Sequence, residues 1–422
     1  MKKIKITAIF LIFAALMSIF APVSLAAEPE PFKAAAVFLA ETTTGTVLYE
    51  LNADERRAPD TLAKMMTLLL AAEAVASGEL ASGEVAENLF SAYVGSDDDA
   101  CDAVAVTVSG SVDAFVALMN ARAAELSCAD TVFVNTNGKA NVRQYTTARD
   151  LFNIARAGAK LPLFVEVAGA RSHGGITNSN YMLNPNRAKY YYKYGVFGKV
   201  SATYENGYGA VEYAERDGLN AVAVVLGAAA VILESDNSTE MQNLTEARRL
   251  LEWGHANFSW TAVLSSSELI ARAAVQLGDG ADFVNLRPEE DVVLLLSNDI
   301  PEDEITREIR VFSEESGEKL TAPVEAGAEL GEVVLTRRGE EIGRATLVAD
   351  TTVRLLRMKY FTAQLKAIFQ SRVAKLIIIA VIAIFLAYAV IVVRYQILLA
   401  RYVKKRAAQA KRNVENQDSE RR

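Results

Sequence analysis

Cysteine and histidine are scarce in this sequence, two of each in 422 residues. With Cys101 and Cys128 as the only thiols, the chain cannot be a disulfide scaffold. It must be held by a hydrophobic core, for which 51% hydrophobic residues is ample. Whether the two thiols pair or stay free is left open, because spacing does not report how closely their Cα atoms approach. His173 and His255 build no metal-ligand cluster, and Asp97-Asp-Asp99 lacks the alternation and the glycine of a calcium loop. No metal or other cofactor is therefore expected. Internal repeats and low-complexity tracts are missing too, which excludes solenoids and disordered chains.

Positive charge is also short in the body of the chain. Of the 44 Lys and Arg and 52 Asp and Glu, 26 and 49 fall between Ala27 and Val353, a formal charge of −23 for that span. Such a body repels anionic polymers, and nucleic acid is not an expected partner.

Long apolar runs stand at both ends. Lys2, Lys3 and Lys5, the run Ile6–Phe20 and the small-residue site Ser24-Leu-Ala26 are the parts of a secretory signal, residues 1–26. Leu376–Val393 is an 18-residue run without a charge, about what crossing a bilayer requires, and reads as a transmembrane helix, residues 376–393. Six basic residues precede it from Arg354 and nine follow it, so the positive-inside bias is modest. The signal sets the orientation better, with the body outside and the basic tail, residues 394–422, in the cytoplasm. Residues 354–375 mix apolar and basic side chains and read as an amphipathic juxtamembrane segment.

Between these ends the pattern changes once. Ala35–Ala40 and Thr46–Glu50 form a hairpin around a Thr-Thr-Gly turn, residues 78–160 read as mostly helical, and strands return at Tyr208–Tyr213 and Asn220–Leu226. A helix over Thr239–Trp253 closes a first domain, residues 34–254. Short alternating segments with tight turns then mark a small all-β domain, residues 258–353.

The first domain is organised around Arg57-Ala-Pro-Asp-Thr-Leu-Ala-Lys-Met-Met-Thr67. Pro59 and Asp60 are helix-start residues, and Leu62, Met65, Met66, Leu69 and Ala72 recur at helical spacing, which predicts a buried helix. One turn apart at its positive end, Thr61 and Lys64 are expected within hydrogen-bond reach, the layout of a hydroxyl nucleophile with a lysine partner.

This helix is one of several collinear segments by which the chain resembles the serine-type D-Ala-D-Ala carboxypeptidases, the low-molecular-mass penicillin-binding proteins. The others are Thr46–Arg57, Phe115–Arg122, Thr131–Asn135, Tyr145–Leu151, Gly198–Gly209, Arg216–Gly227 and Ala322-Pro-Val324. The resemblance implies an α/β fold, a transpeptidase/β-lactamase-like domain followed by a β-sandwich. It also implies a bacterial membrane protein with an extracytoplasmic body, acting on peptidoglycan stem peptides, with cell-wall proteins as further partners.

The family's three motifs fall on altered residues. Ser-x-x-Lys becomes Thr61-Leu-Ala-Lys64, so the amine survives and the nucleophile gains a methyl group. Asp60 adds a carboxylate beside the hydroxyl, which disfavours a developing alkoxide. Ser-x-Asn becomes Ser96-Asp-Asp98, which keeps the relay hydroxyl and exchanges an amide for an acid able to hold Lys64 charged. Lys-Thr-Gly becomes Lys199-Val-Ser201. Lys199 is expected to meet the substrate carboxylate, Val200 lacks the hydroxyl, and Ser201 brings a side chain where glycine allows close approach. By resemblance the oxyanion hole uses the backbone N–H groups of Thr61 and Ala202. The expected function is recognition of the D-Ala-D-Ala end with weak or lost hydrolysis. The alternatives are a carboxypeptidase using Thr61 as nucleophile, and a non-catalytic scaffold.

Overall fold

A computed structural model describes residues 28–203, 205–232 and 239–419; the signal segment read at residues 1–26 lies outside them. The chain divides into two compact units, the described part of Met1–Val263 with Val293–Thr306, and Leu264–Val292 with Arg307–Arg422.

The first unit is built on a five-stranded antiparallel sheet. Its strands are β1 (Ala36–Glu41), β2 (Val47–Leu51), β3 (Gly195–Thr203), β4 (Gly207–Arg216) and β5 (Leu219–Ala228), in the order β2-β1-β5-β4-β3. Both faces are covered, which is why β1 is apolar from Ala36 to Ala40 and buried along its length. Ala36, Phe38 and Ala40 point into one core with Val222, Val224 and Leu226, while Val37 and Leu39 point into the other with Ala223 and Val225.

The first face carries α1 (Lys64–Ala76), α2 (Ser82–Tyr93), α3 (Asp98–Ser109), α4 (Val112–Glu125), α5 (Ala148–Gly158) and α6 (Pro162–Gly169), and the second carries α7 (Gln242–Asn257). Asp97, Ser111 and Thr147 accept backbone N–H groups in the first turns of α3, α4 and α5, so capping chemistry sets where these helices start. The last helix begins at Gln242 and not at Thr239, because Thr239–Met241 is extended and pairs with Ala230–Ile232.

Helix α1 is buried nearly all round, Lys64 and Thr67 included, as a helix at the centre of a core must be. It is entered through a 3-10 turn, Asp60–Ala63, in which Asp60 has φ +46°. Both cysteines are free and buried, so the thiol alternative holds. The Cys101 thiol donates to the Asp97 carbonyl at 3.3 Å and the Cys128 thiol to the Asp150 carbonyl at 3.4 Å, and burial pushes them up to about 11 and about 12.

The compositional boundary near residue 258 is not where the chain leaves the first unit. Strands β6 (Phe258–Leu264) and β9 (Val292–Ser297) pair with each other, and Phe258 and Leu295 pack against the second core. The Asn298 side chain donates to the Ala256 carbonyl at 2.9 Å and the Trp260 indole to that of Gly218 at 3.2 Å.

In place of two facing sheets, the second unit therefore carries one sheet. Its strands are β7 (Ala271–Ala274), β8 (Phe283–Pro288), β10 (Ile305–Val311), β11 (Glu329–Arg337) and β12 (Glu340–Ala349), in the order β7-β8-β12-β11-β10. Helices α8 (Arg357–Gln370) and α9 (Arg372–Ser419) follow. The break falls at Ser371, so residues 372–375 belong to the long helix and not to the amphipathic segment. Helix α9 is by itself long and apolar enough to cross a membrane, and none of its apolar window is buried. At 1.5 Å per residue it runs for about 70 Å, so the basic tail continues the same helix beyond any bilayer of about 30 Å.

Candidate active site

The site lies where the turn before α1, the loop before α3 and the edge strand β3 meet. Thr61 and Lys64 make separate hydrogen bonds. Thr61 Oγ1 donates to the Val200 carbonyl at 2.9 Å, while Lys64 Nζ donates to the Ser96 carbonyl at 2.9 Å and to Asp98 Oδ1 at 2.8 Å. The expected hydroxyl–amine bond is replaced by two separate anchorages, because the 3-10 turn carries Thr61 toward the strand while Asp98 draws Lys64 toward α3. The lysine side chain is 1% exposed and that of Asp98 34%.

Burial works to raise Asp98, but the hydrogen bond and charge of Lys64, joined by Lys139 at 3.5 Å, outweigh it and hold the carboxyl below its ordinary value. Lys139 was not singled out by sequence. It follows Gly138, whose φ is +83° and whose absent side chain admits the Asp60 carbonyl; a Cβ there would stand 1.8 Å from that oxygen.

Asp60 is not beside the Thr61 hydroxyl either. Its carboxyl accepts from Asn206 Nδ2 at 2.9 Å and Thr203 Oγ1 at 3.0 Å, tying the turn to the loop between β3 and β4. Burial raises it above its ordinary value against those two bonds.

Lys199 is buried, and its ammonium donates to the Tyr93 carbonyl and, at 3.3 Å, to Ser96 Oγ. The Tyr93 ring lies 4.7 Å below it, and the Tyr93 hydroxyl donates to the Gly198 carbonyl at 3.3 Å. Burial first, and the neighbouring Lys64 charge second, lower Lys199 from 10.5 to about 7. Tyr93 thus encloses the Lys199 amine and turns it toward Ser96. Tyr93 carries no motif signal, and only its place at the end of an amphipathic helix could have pointed to it. The exposed group of the set is Ser96, held at φ +57°.

Ser201 does not obstruct the strand edge. It is buried opposite Gly209, where a Cβ would come within 2.7 Å of Ser201 Oγ, so the glycine across the strand pair makes room for it. Val200 packs its side chain on the opposite face, against the second core.

The free edge of β3 remains usable. Since the Val200 carbonyl points off that edge to Thr61, the two-residue period of a strand aims the Ala202 N–H off the same edge. The site therefore offers an exposed hydroxyl, an outward N–H and an exposed Lys139, with the amines of Lys64 and Lys199 committed to protein oxygens.

Residues 23–88 and 82–230 match the family model of the D-alanyl-D-alanine carboxypeptidases, peptidase S11. The chain belongs to this family. It is 27% identical over 351 residues to D-alanyl-D-alanine carboxypeptidase DacF of Bacillus subtilis, covering 76% of this chain and 86% of that one. It is also 27% identical over 390 residues to D-alanyl-D-alanine carboxypeptidase DacD of Escherichia coli, covering 84% and 96%. Penicillin binding protein 5 from Haemophilus influenzae shares the fold, with a TM-score of 0.57 at 23% identity over 78% of this chain and 99% of that one. The family is one of hydrolases, and its reaction asks for a nucleophile hydrogen-bonded to a base. In this member the hydroxyl of Thr61 and the amine of Lys64 are hydrogen-bonded to different partners.

Proposed function

We propose that this protein recognises the D-Ala-D-Ala end of peptidoglycan stem peptides with little or no hydrolysis. One observation carries the reading: Thr61 hydrogen-bonds a backbone carbonyl, which cannot take its proton, while the lysine that would accept it spends two of its three N–H groups on Ser96 and Asp98. A peptide would lie along the free edge of β3, its carbonyl oxygen on the Ala202 N–H, its polar groups on Ser96 and its terminal carboxylate drawn to Lys139. Lys199 serves by fixing Ser96. The proposed setting is the outer face of a bacterial membrane, with α9 as a single anchor; protease added to intact cells should digest the body and spare the tail.

Purified full-length protein should bind a pentapeptide ending in D-Ala-D-Ala and release no D-Ala. Release on the order of 1 per second or more, abolished by Thr61→Ala, would instead make Thr61 a working nucleophile. Absence of both binding and release would leave the fold as a scaffold for cell-wall partners.

A further inference from the structure

Against the acidic body, residues 185–194 read Pro-Asn-Arg-Ala-Lys-Tyr-Tyr-Tyr-Lys-Tyr, three cations and four tyrosines without an acid. This segment lines one side of a cavity of about 520 Å³, whose other walls are Arg216 at the end of β4 and Arg248 and Glu252 on α7. That volume falls within the roughly 300–1,000 Å³ of small-molecule sites. None of its walls belongs to the Thr61 site.

The walls are fastened to each other. Arg248 donates from Nε to Glu252 at 2.7 Å and from Nη1 to the carbonyls of Ala188 and Lys189 at 3.2 and 3.3 Å, which holds the segment on the helix. The Tyr192 hydroxyl is hydrogen-bonded to His255 Nδ1 at 3.0 Å. Glu252 is neutralised by this arrangement.

Two cations are left to the cavity. The charged ends of Lys193 and Arg216 lie 4.6 and 5.0 Å from the centre of the Tyr194 ring. Arg216 shares its charge with the largely exposed Asp217 at 3.1 Å, and Lys193 is paired with no carboxylate among the described residues. Tyr191 and Tyr194 are half-buried in the cavity wall, and their hydroxyls have no partner among the described residues.

Aromatic faces and unspent hydroxyls suit the C–H face and hydroxyl groups of a pyranose, and the two cations ask for an anion on it. A bare phosphate would leave the tyrosines unused, and a neutral sugar would leave the cations unused. We infer that this cavity binds an acidic sugar, a pyranose bearing a carboxylate.

The test titrates full-length protein in detergent micelles with N-acetylmuramic acid, with N-acetylglucosamine as the neutral counterpart, and with inorganic phosphate. N-acetylmuramic acid should bind at least about tenfold more tightly than either control, and Lys193→Ala should weaken it about tenfold while leaving N-acetylglucosamine unchanged. Tyr194→Ala should weaken both sugars, and Tyr194→Phe should restore most of the affinity. Lys193 is exposed, so its variant carries the test without a folding risk. Equal affinity for the two sugars, equal affinity for phosphate, no binding, or indifference to Lys193→Ala would each overturn the inference. Binding of the D-Ala-D-Ala pentapeptide should be the same in wild type and Lys193→Ala. Sugar binding without pentapeptide binding would sustain this inference and defeat the functional reading above.

Discussion

Asp98→Asn isolates the charge that holds Lys64. Asparagine keeps a carbonyl oxygen for the amine and removes only the negative charge, so the ammonium of a side chain 1% exposed loses its counter-ion. Breaking a fully buried pair costs about 3–5 kcal/mol, and because Asp98 has water on one side a loss of about 2 kcal/mol is expected at pH 7. For a unit of this size that lowers the melting temperature by about 4–8 °C.

The pH dependence has a defined sign. The Asp98 carboxyl is held below its ordinary 3.8, so its contribution is fully present above that value and is lost as the pH falls through the depressed one. The gap between wild type and variant should therefore be constant near neutrality and narrow steadily in acid. Melting curves of the full chain in detergent micelles, followed by near-ultraviolet circular dichroism at several pH values, would measure it. Lys139→Ala serves as the control: its side chain is 66% exposed, and removing it should cost less than about 0.5 kcal/mol. Equal stability of Asp98→Asn and wild type at pH 7, or a gap that does not change in acid, would refute the clamp.

Restoring the family's motifs together, with Thr61→Ser, Asp98→Asn, Val200→Thr and Ser201→Gly, should give clear covalent labelling by a fluorescent penicillin where each single change gives little, since residues that act as a unit are not additive; strong labelling of the unaltered protein would contradict this. Lys199, lowered from 10.5 to about 7, is charged in native and unfolded chains below about pH 7 and only in the unfolded chain between there and 10.5. Native stability should thus rise with pH across that window by up to about 1.4 kcal/mol per unit, and Lys199→Met should flatten the rise; parallel urea profiles for the two proteins would rule it out. Gly138→Ala drives a Cβ to within 1.8 Å of the Asp60 carbonyl, whereas Gly78→Ala, at a similar positive φ, meets nothing within 4 Å. Losses of about 3 and about 1 kcal/mol are expected, and equal losses would show that strain alone, without the clash, sets the cost.

Much of the architecture was fixed by local chemistry that a sequence displays. The apolar run of β1, the Arg216-Asp-Gly218 turn between β4 and β5, the caps at Ser111 and Thr147 and the uncharged stretch of α9 each carry their own period or punctuation. The family resemblance likewise brought Thr61, Lys64, Ser96, Asp98 and Lys199 to one place, because the three segments share one site in the family.

What those residues bond to was decided by distant parts of the chain. Thr61 faces Val200, 139 positions away, and Lys199 is enclosed by Tyr93, 106 positions away. Asp60 is drawn off by Thr203 and Asn206, and Ser201 fits because Gly209 lies across from it. Gly198 is small because Glu212 from the neighbouring strand lies where its Cβ would be, 2.2 Å from Oε2. A hydrogen bond takes whichever partner the packed backbone presents, and a side chain's own position in the sequence does not name that partner. The sequence thus determined which groups assemble, and only the tertiary structure decided that the Thr61 hydroxyl and the Lys64 amine bond to different partners, since those partners sit on a strand, a helix start and a loop that meet only after folding.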